Sequence, residues 1–384
     1  MTSFVRPALA AALALLGGAL ALAGAPAPAL FEGGARHLEV GPVPAGLGGT
    51  DAGSCAPCHD DIIAEWRGSL HAAAWTDPVF QAAYRVEPLA FCRNCHAPLH
   101  RGDRPSGVAA SEGISCAVCH VRDGTILAGL AAARAPGDAT GASADGAAPH
   151  PIRRVAALDD AGFCAPCHDF GFLAPAVAGH ARVETDERQQ STASEWRALA
   201  DGRDGAARAT CQDCHMAPGG AAPGRPGHRG HAFPGRGDPA FVASALEAEL
   251  SAAPRASDGA AVVVTARLTP TAVGHDVPTG DLFRRLELRV WPDGDERAAA
   301  RLDYARSFTV PPGKARSEVA DTRVGEPGAG ERRLTVAAGS ASVRRWRLDY
   351  LLMPPALAAE HHIAPAVNVM PLMSGTIEVP PAAP

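Results

Sequence analysis

All ten cysteines of this 384-residue chain fall into one pattern, Cys-x-x-Cys-His, written five times with none left over. The copies are Cys55-Ala-Pro-Cys58-His59, Cys92-Arg-Asn-Cys95-His96, Cys116-Ala-Val-Cys119-His120, Cys164-Ala-Pro-Cys167-His168 and Cys211-Gln-Asp-Cys214-His215. Paired cysteines serve three chemistries. A disulfide framework gives no reason for a histidine after every second cysteine. Zinc sites built from two CxxC units cannot be grouped from five pairs without a remainder. Covalent attachment of haem c uses every residue of the pattern: each thiol adds to a vinyl group, and the adjacent histidine becomes an axial ligand of the iron. A helical turn puts both sulfurs on one edge of the porphyrin and points the next residue at the metal. Five haems c are expected, and the composition agrees. Aromatic residues make up only 5% of the chain while Ala, Gly and Pro abound, so five macrocycles would be the core of a domain that side chains alone fill thinly.

The N-terminus reads as a secretory signal peptide over residues 1–29: Arg6 is a short positive region, Ala8 to Ala23 is apolar, and Ala27-Pro28-Ala29 is an A-x-A cleavage site. No later segment is long and apolar enough to span a bilayer. The mature protein is therefore expected outside the cytoplasm, periplasmic, extracellular or at the cell surface. With a formal net charge of −6 there is no basic surplus to suggest nucleic acid as a partner.

Residues 30–50 read as a Gly/Pro-rich linker, and residues 51–240 carry every CxxCH on short helices and long loops such as Ala128 to Pro149. Two phrases repeat: CAPCHD at 55–60 and 164–169, and EWR at 65–67 and 195–197. Residues 241–260 read as a linker whose first part, FVASALEAEL, has a helical composition. From 261 to 384 the pattern is β-rich. The runs 261–268, 285–291, 301–310, 332–338, 343–352 and 375–379 alternate apolar and polar residues, with Leu286, Leu288 and Val290 on one face and Glu287 and Arg289 on the other. The expected architecture is a mainly α/irregular multihaem domain followed by an all-β, sandwich-like C-terminal domain.

A second axial ligand is needed for each iron that is to be closed. Asp60 to Ala74 has the composition of one helix, on which His71 would lie roughly 18 Å from His59 and turned roughly 120° away. Unless the chain bends at Gly68, the two cannot clamp one iron, so His71 is expected on a different haem. His100, in the polar loop HAPLHRGDRP, is expected in solvent. His180 and His228 lie in Ala/Gly/Pro-rich loops and rank low.

Several segments resemble exported multihaem cytochromes of the cytochrome c-554 type. They are SCAPCHDDIIAEWRGSLHA, FCRNCHAPL, GISCAVCHVRDG, EWRALADGRDGAARATCQDCHMAP and GHAFPG, with VGHDVPTGDLFRRLEL at the entrance to the β region. The resemblance spans roughly residues 51–290. It implies stacked haem pairs with mostly bis-histidine ligation. It also implies that His71 is a distal ligand, that His150 and His231 occupy positions often filled by histidine, and that His275 of GH-x-x-PTG reaches a haem from the β domain. Four distal candidates then stand against five irons. His37, His180, His228, His361 or His362 would close the fifth, or one face stays open.

The expected function is electron transfer between redox proteins acting as donor and acceptor outside the cytoplasm. The alternatives are an oxidoreductase of small nitrogen compounds at one open haem, or a homo-oligomeric extracellular filament. The lysine-ligated CxxCK of pentahaem nitrite reductases is absent, and the single lysine, Lys314, lies far from every motif. An octahaem-type hydroxylamine oxidation would need more haems and a crosslinking tyrosine, and only Tyr84 falls in the haem region.

Overall fold

The computed structural model describes residues 38–102, 105–130, 148–177, 182–201, 209–218, 228–254, 261–271, 273–310, 316–325, 330–337 and 342–381. The expected signal peptide, His37, His180, Lys314 and most of the loop after Ala128 lie outside them. Among the described residues, no helix is long and apolar enough to cross a membrane.

The N-terminal half is short helices: α1 Ala52–Arg67, α2 Pro78–Val86, α3 Ala90–His96, α4 Gly107–Glu112, α5 Cys116–His120, α6 Ala165–His168, α7 Thr192–Asp201, α8 Cys211–His215 and α9 Pro239–Ala243. Each CxxCH lies on a helical turn of α1, α3, α5, α6 or α8, and four of those helices end at the motif histidine. Some of the helices begin where polar side chains satisfy free N–H groups, as Asp77 does for α2 and Asp238 for α9. Asp51 accepts from Ser54 N at 3.0 Å ahead of the first motif. Thr210 and Asp213 form a capping box around the last. Three short strands, β1 Val121–Arg122, β2 Thr125–Ala128 and β3 Ile152–Arg154, form a small sheet, and β4 Asp169–Leu173 pairs with β5 Glu184–Ser191.

α1 runs on past His59, where the backbone leaves helical geometry (φ −132°, ψ 33°), and stops at Gly68, whose N–H bonds the Trp66 carbonyl. The single helix expected over Asp60 to Ala74 is therefore cut short. Residues 69–76 form turns, and the chain does bend at Gly68.

The C-terminal half holds β6 Leu246–Pro254, β7 Ala261–Pro270, β8 Arg285–Pro292, β9 Ala300–Thr309, β10 Ser317–Asp321, β11 Glu331–Ala337, β12 Val343–Leu351 and β13 Val369–Glu378. They form two antiparallel sheets, in the orders β10-β9-β8-β12-β13 and β11-β7-β6. Two small helices, α10 Pro355–Glu360 and α11 Pro365–Asn368, link the last two strands. One hydrophobic cluster draws on both sheets: Val262, Val264, Ala266 and Leu268 from β7 meet Leu286, Leu288 and Val290 from β8, with Tyr304 and Leu348. The alternation read in β8 is realised, although Glu287 on its opposite face is also buried, because β8 is a central strand between β9 and β12.

One sequence expectation is corrected here. FVASALEAEL was read as a helix and residues 241–260 as a linker helix, but α9 covers only its start, and β6 pairs with β7 from Leu246 onward. The Ala, Leu and Glu of this run favour a helix in isolation. The open edge of β7 and the alternation of Leu246, Ala248 and Leu250 with Glu247 and Glu249 win instead.

The apolar cores of the two halves differ in size. The second cluster of buried side chains, in the N-terminal half, contains only Ala52, Ile63, Trp66 and Ala72.

Candidate functional site

Beyond the five motifs, the structure brings three further histidines against motif histidines. His71 faces His168 with ring centroids 6.2 Å apart. His231 faces His120 at 6.1 Å, and His275 faces His215 at 6.3 Å. Two metal–imidazole bonds of ~2 Å each, with ~1.1 Å from each nitrogen to its ring centre, add to roughly 6.2 Å. Each pair is therefore spaced to take one iron between its rings. Direct ring stacking would bring the planes closer, as it does for Phe80 on His96, at 3.6 Å and 9°.

The orientation of the rings agrees. Nδ1 of His96 lies 2.8 Å from the Ala74 carbonyl, that of His120 2.8 Å from Leu127, and that of His215 2.7 Å from Pro234. His231 Nδ1 lies 2.8 Å from the Arg229 carbonyl and His275 Nδ1 2.9 Å from that of Asp276. A carbonyl can only accept, so Nδ1 carries the proton in all five rings and the lone pair is left on Nε2. This second contact is the usual way a metal-ligating histidine is held. Burial favours the neutral form of the His71, His96, His120, His168, His231 and His275 imidazoles, as a ligand must be. Burial and the neighbouring His168 drive His71 down to about 3, and burial with nearby His215 takes His168 to about 4. His231 is likewise lowered to about 4 by burial and His120.

The cysteines meet across motifs. Cys55 lies against Cys116, Cys95 against Cys167, and Cys164 against Cys211. Cys119 lies within electrostatic reach of Cys164 and Cys167. Read as disulfides, these contacts would use only six of the ten cysteines and would leave the five histidines unexplained. As thioether edges of neighbouring macrocycles they account for both.

The other candidates are placed as follows. His150 meets no motif histidine in a ring contact among the described residues, and its buried Nδ1 has no hydrogen-bond partner there. His228, ranked low in the sequence, is buried, stacks on His231 at 5.7 Å and sits 3.2 Å from both Glu65 carboxylate oxygens. Glu65, His228 and His231 together have the composition of a small metal site, but the Glu65 carboxylate already holds the His231 backbone N–H at 2.7 Å. The group is better read as the support of the His231 loop. His100 is half-buried rather than in solvent. His361 and His362 lie just past α10 in the C-terminal half.

Residues 54–121, from the first motif through the third, match the family model for cytochrome c554 and c-prime. This is the region of a multihaem c-type cytochrome. The haem c ligands expected there, from Cys55 to His120, fall inside the match. The chain is also similar in structure to a penta-heme cytochrome c552 from Thermochromatium tepidum, with a TM-score of 0.60 and 20% identity over 84% of this chain and 97% of that one. At that identity the likeness speaks for the fold. No curated protein matches the chain.

The site also contains residues that motif reading passed over. Glu65 and Glu195 are buried carboxylates, 5% and 8% exposed, and each is bonded to a loop whose histidine faces a motif histidine. The signal was present in the repeated EWR.

Proposed function

We propose that the chain is an exported electron carrier holding five covalent haems c, of which at least three are bis-histidine. The carrying observation is the set of three histidine pairs at 6.1–6.3 Å. His71 serves the haem of His168, His231 that of His120, and His275 that of His215. His150, with its orphaned Nδ1, is the candidate for one of the remaining irons, those of His59 and His96. An iron held between two imidazoles exchanges single electrons with little change in geometry.

The chain's own part is to close the axial positions, exclude water from them and bring the attachment edges together. The cysteine contacts support a branched order in which the first motif adjoins the third, the third the fourth, and the fourth both the second and the fifth. Cys58 and Cys214 are the exposed members of the ten, so the first and fifth motifs offer the edges nearest to solvent-borne redox partners. The small, polar and transient contacts of such partners need no dedicated pocket. The two-sheet C-terminal half, a sandwich in this reading, carries His275 into the haem region.

The test is the EPR spectrum of the purified, fully oxidised protein with its haem content measured alongside. Five haems with low-spin signals alone would support the carrier. A high-spin component near one haem in five would place an open face in the protein, and nitrite, hydroxylamine and nitric oxide would then be tried as substrates. A haem content below five per chain would refute the stoichiometry.

A further inference from the structure

The two copies of EWR sit in equivalent surroundings. In the first, Trp66 Nε1 donates to the carbonyl of Ile114 at 2.9 Å, two residues ahead of Cys116. In the second, Trp196 Nε1 donates to the carbonyl of Ala209 at 3.1 Å, two residues ahead of Cys211. The glutamate before each tryptophan turns to another segment. Glu65 accepts the backbone N–H of His231 at 2.7 Å, and Glu195 accepts the hydroxyl of Thr279, in the His275 loop, at 2.7 Å. Each carboxylate also has a buried basic partner: His228 at 3.2 Å for Glu65, and Arg323 at 2.6 Å for Glu195.

The pairing is consistent. His231 is the histidine that faces His120 of the third motif, and His275 is the one that faces His215 of the fifth. The tryptophan and the glutamate of one copy therefore grip the two sides of the same histidine pair. The CAPCH preceding each copy repeats the relation, since Cys55 touches Cys116 and Cys164 touches Cys211. The copies differ in what joins CAPCH to EWR: α1 runs directly between them in the first, and the β4–β5 hairpin intervenes in the second.

We propose that Glu65–Trp66 and Glu195–Trp196 are two copies of one positioning device. Each fixes both axial-ligand segments of a single haem, that of His120 and His231 or that of His215 and His275. The proposal rests on the haem reading above. The glutamate holds the distal segment and the tryptophan the proximal one, so the separation of the two imidazoles is set by adjacent residues of one helix. Backbone order within α1 and α7 is thereby passed to two loops distant in sequence. A device that acts on one haem leaves a signature that general loosening of the fold does not.

The test uses the holoprotein and EPR. His231→Ala and His275→Ala identify the low-spin signal of each haem by its loss. Glu65→Ala is then expected to shift or broaden the signal that His231→Ala removes, about one fifth of the low-spin intensity, and to spare the rest. Glu195→Ala is expected to do the same to the His275 signal. Gln at either position still accepts the loop's donor and restores the native signal. Trp66→Phe and Trp196→Phe keep the ring, lose the N–H, and follow the same assignment; they decide the matter if an alanine variant fails to accumulate. If both glutamates perturb the same haem, or all haems equally, or lower stability with every signal intact, the proposal is overturned. Haem content of the wild type is measured first, so that a failure of the haem reading is seen separately.

Discussion

Arg323 is 6% exposed and meets three carboxylates, Glu195 at 2.6 Å, Asp321 at 2.7 Å and Asp276 at 3.0 Å. Arg323→Met keeps the length of the side chain and removes the charge. Asp276 and Asp321 are 26% and 35% exposed, so water rehydrates them, and pairs of that kind are worth ~0–1 kcal/mol each. Glu195, at 8% exposure, has no such escape. Stranding a buried charge in this way costs about 3–5 kcal/mol. At about 2–4 °C per kcal/mol for a unit of this size, the melting temperature should fall by roughly 6–20 °C. The assay is thermal melting of the holoprotein followed by β-sheet circular dichroism. Adding Glu195→Gln to Arg323→Met removes the stranded charge and should recover at least half of the loss. A fall of less than about 2 °C in the single variant would show the network to be screened like a surface pair. A double variant worse than either single would equally refute the reasoning.

Three further outcomes are expected. Chain made without haem attachment should lack helical circular dichroism and be cut by protease throughout residues 51–240, because the buried cluster there, Ala52, Ile63, Trp66 and Ala72, is too small to hold it. Leu288→Ala in the fully buried centre of β8 should cost about 2–5 kcal/mol, read as a lower denaturation midpoint in urea. The pH dependence of stability should carry the mark of Asp321. Burial opposes its ionisation, but Arg323 outweighs burial and holds the carboxyl below its ordinary 3.8. A depressed folded-state value means the stabilisation is complete above 3.8 and is lost as pH falls through the lower folded value. Acid melts of the wild type should therefore steepen below about pH 4, and Asp321→Asn should flatten that part of the curve.

The five CxxCH motifs were legible because the pattern is local: two thiols and a histidine occupy five consecutive positions. The central strands were legible for a similar reason, since the alternation of Leu286, Leu288 and Val290 is written in adjacent residues. β6 was missed although its alternation is equally regular, because Ala, Leu and Glu satisfy helix and strand patterns alike and the deciding partner, β7, is a separate segment. β10 was missed as well. It is a short, mostly exposed edge strand, in which polar residues need no alternation. Distal histidines lay further from reach. The expectation that His71 lies away from His59 rested on a continuous helix, but α1 stops at Gly68, and that His71 meets His168 depends on how turns 69–76 fold back. Glu65 and Trp66 are separated from their partners by 163 and 48 residues. Only the repetition of EWR hinted that the pair had a task.

The placement of His275 has a consequence for the order of events during synthesis. Chains fold from the N-terminus as they emerge. The fifth motif, ending at His215, is complete while the loop bearing His275 and the arginine that braces it, Arg323, are still unmade. Of the three facing pairs, that of the fifth motif is the one whose second histidine is made last, and the arginine that braces its loop is made later still. A chain stopped before residue 275 would carry all five CxxCH motifs and still lack the histidine that faces His215. The β half thus supplies one face of a histidine pair whose other face is made before it.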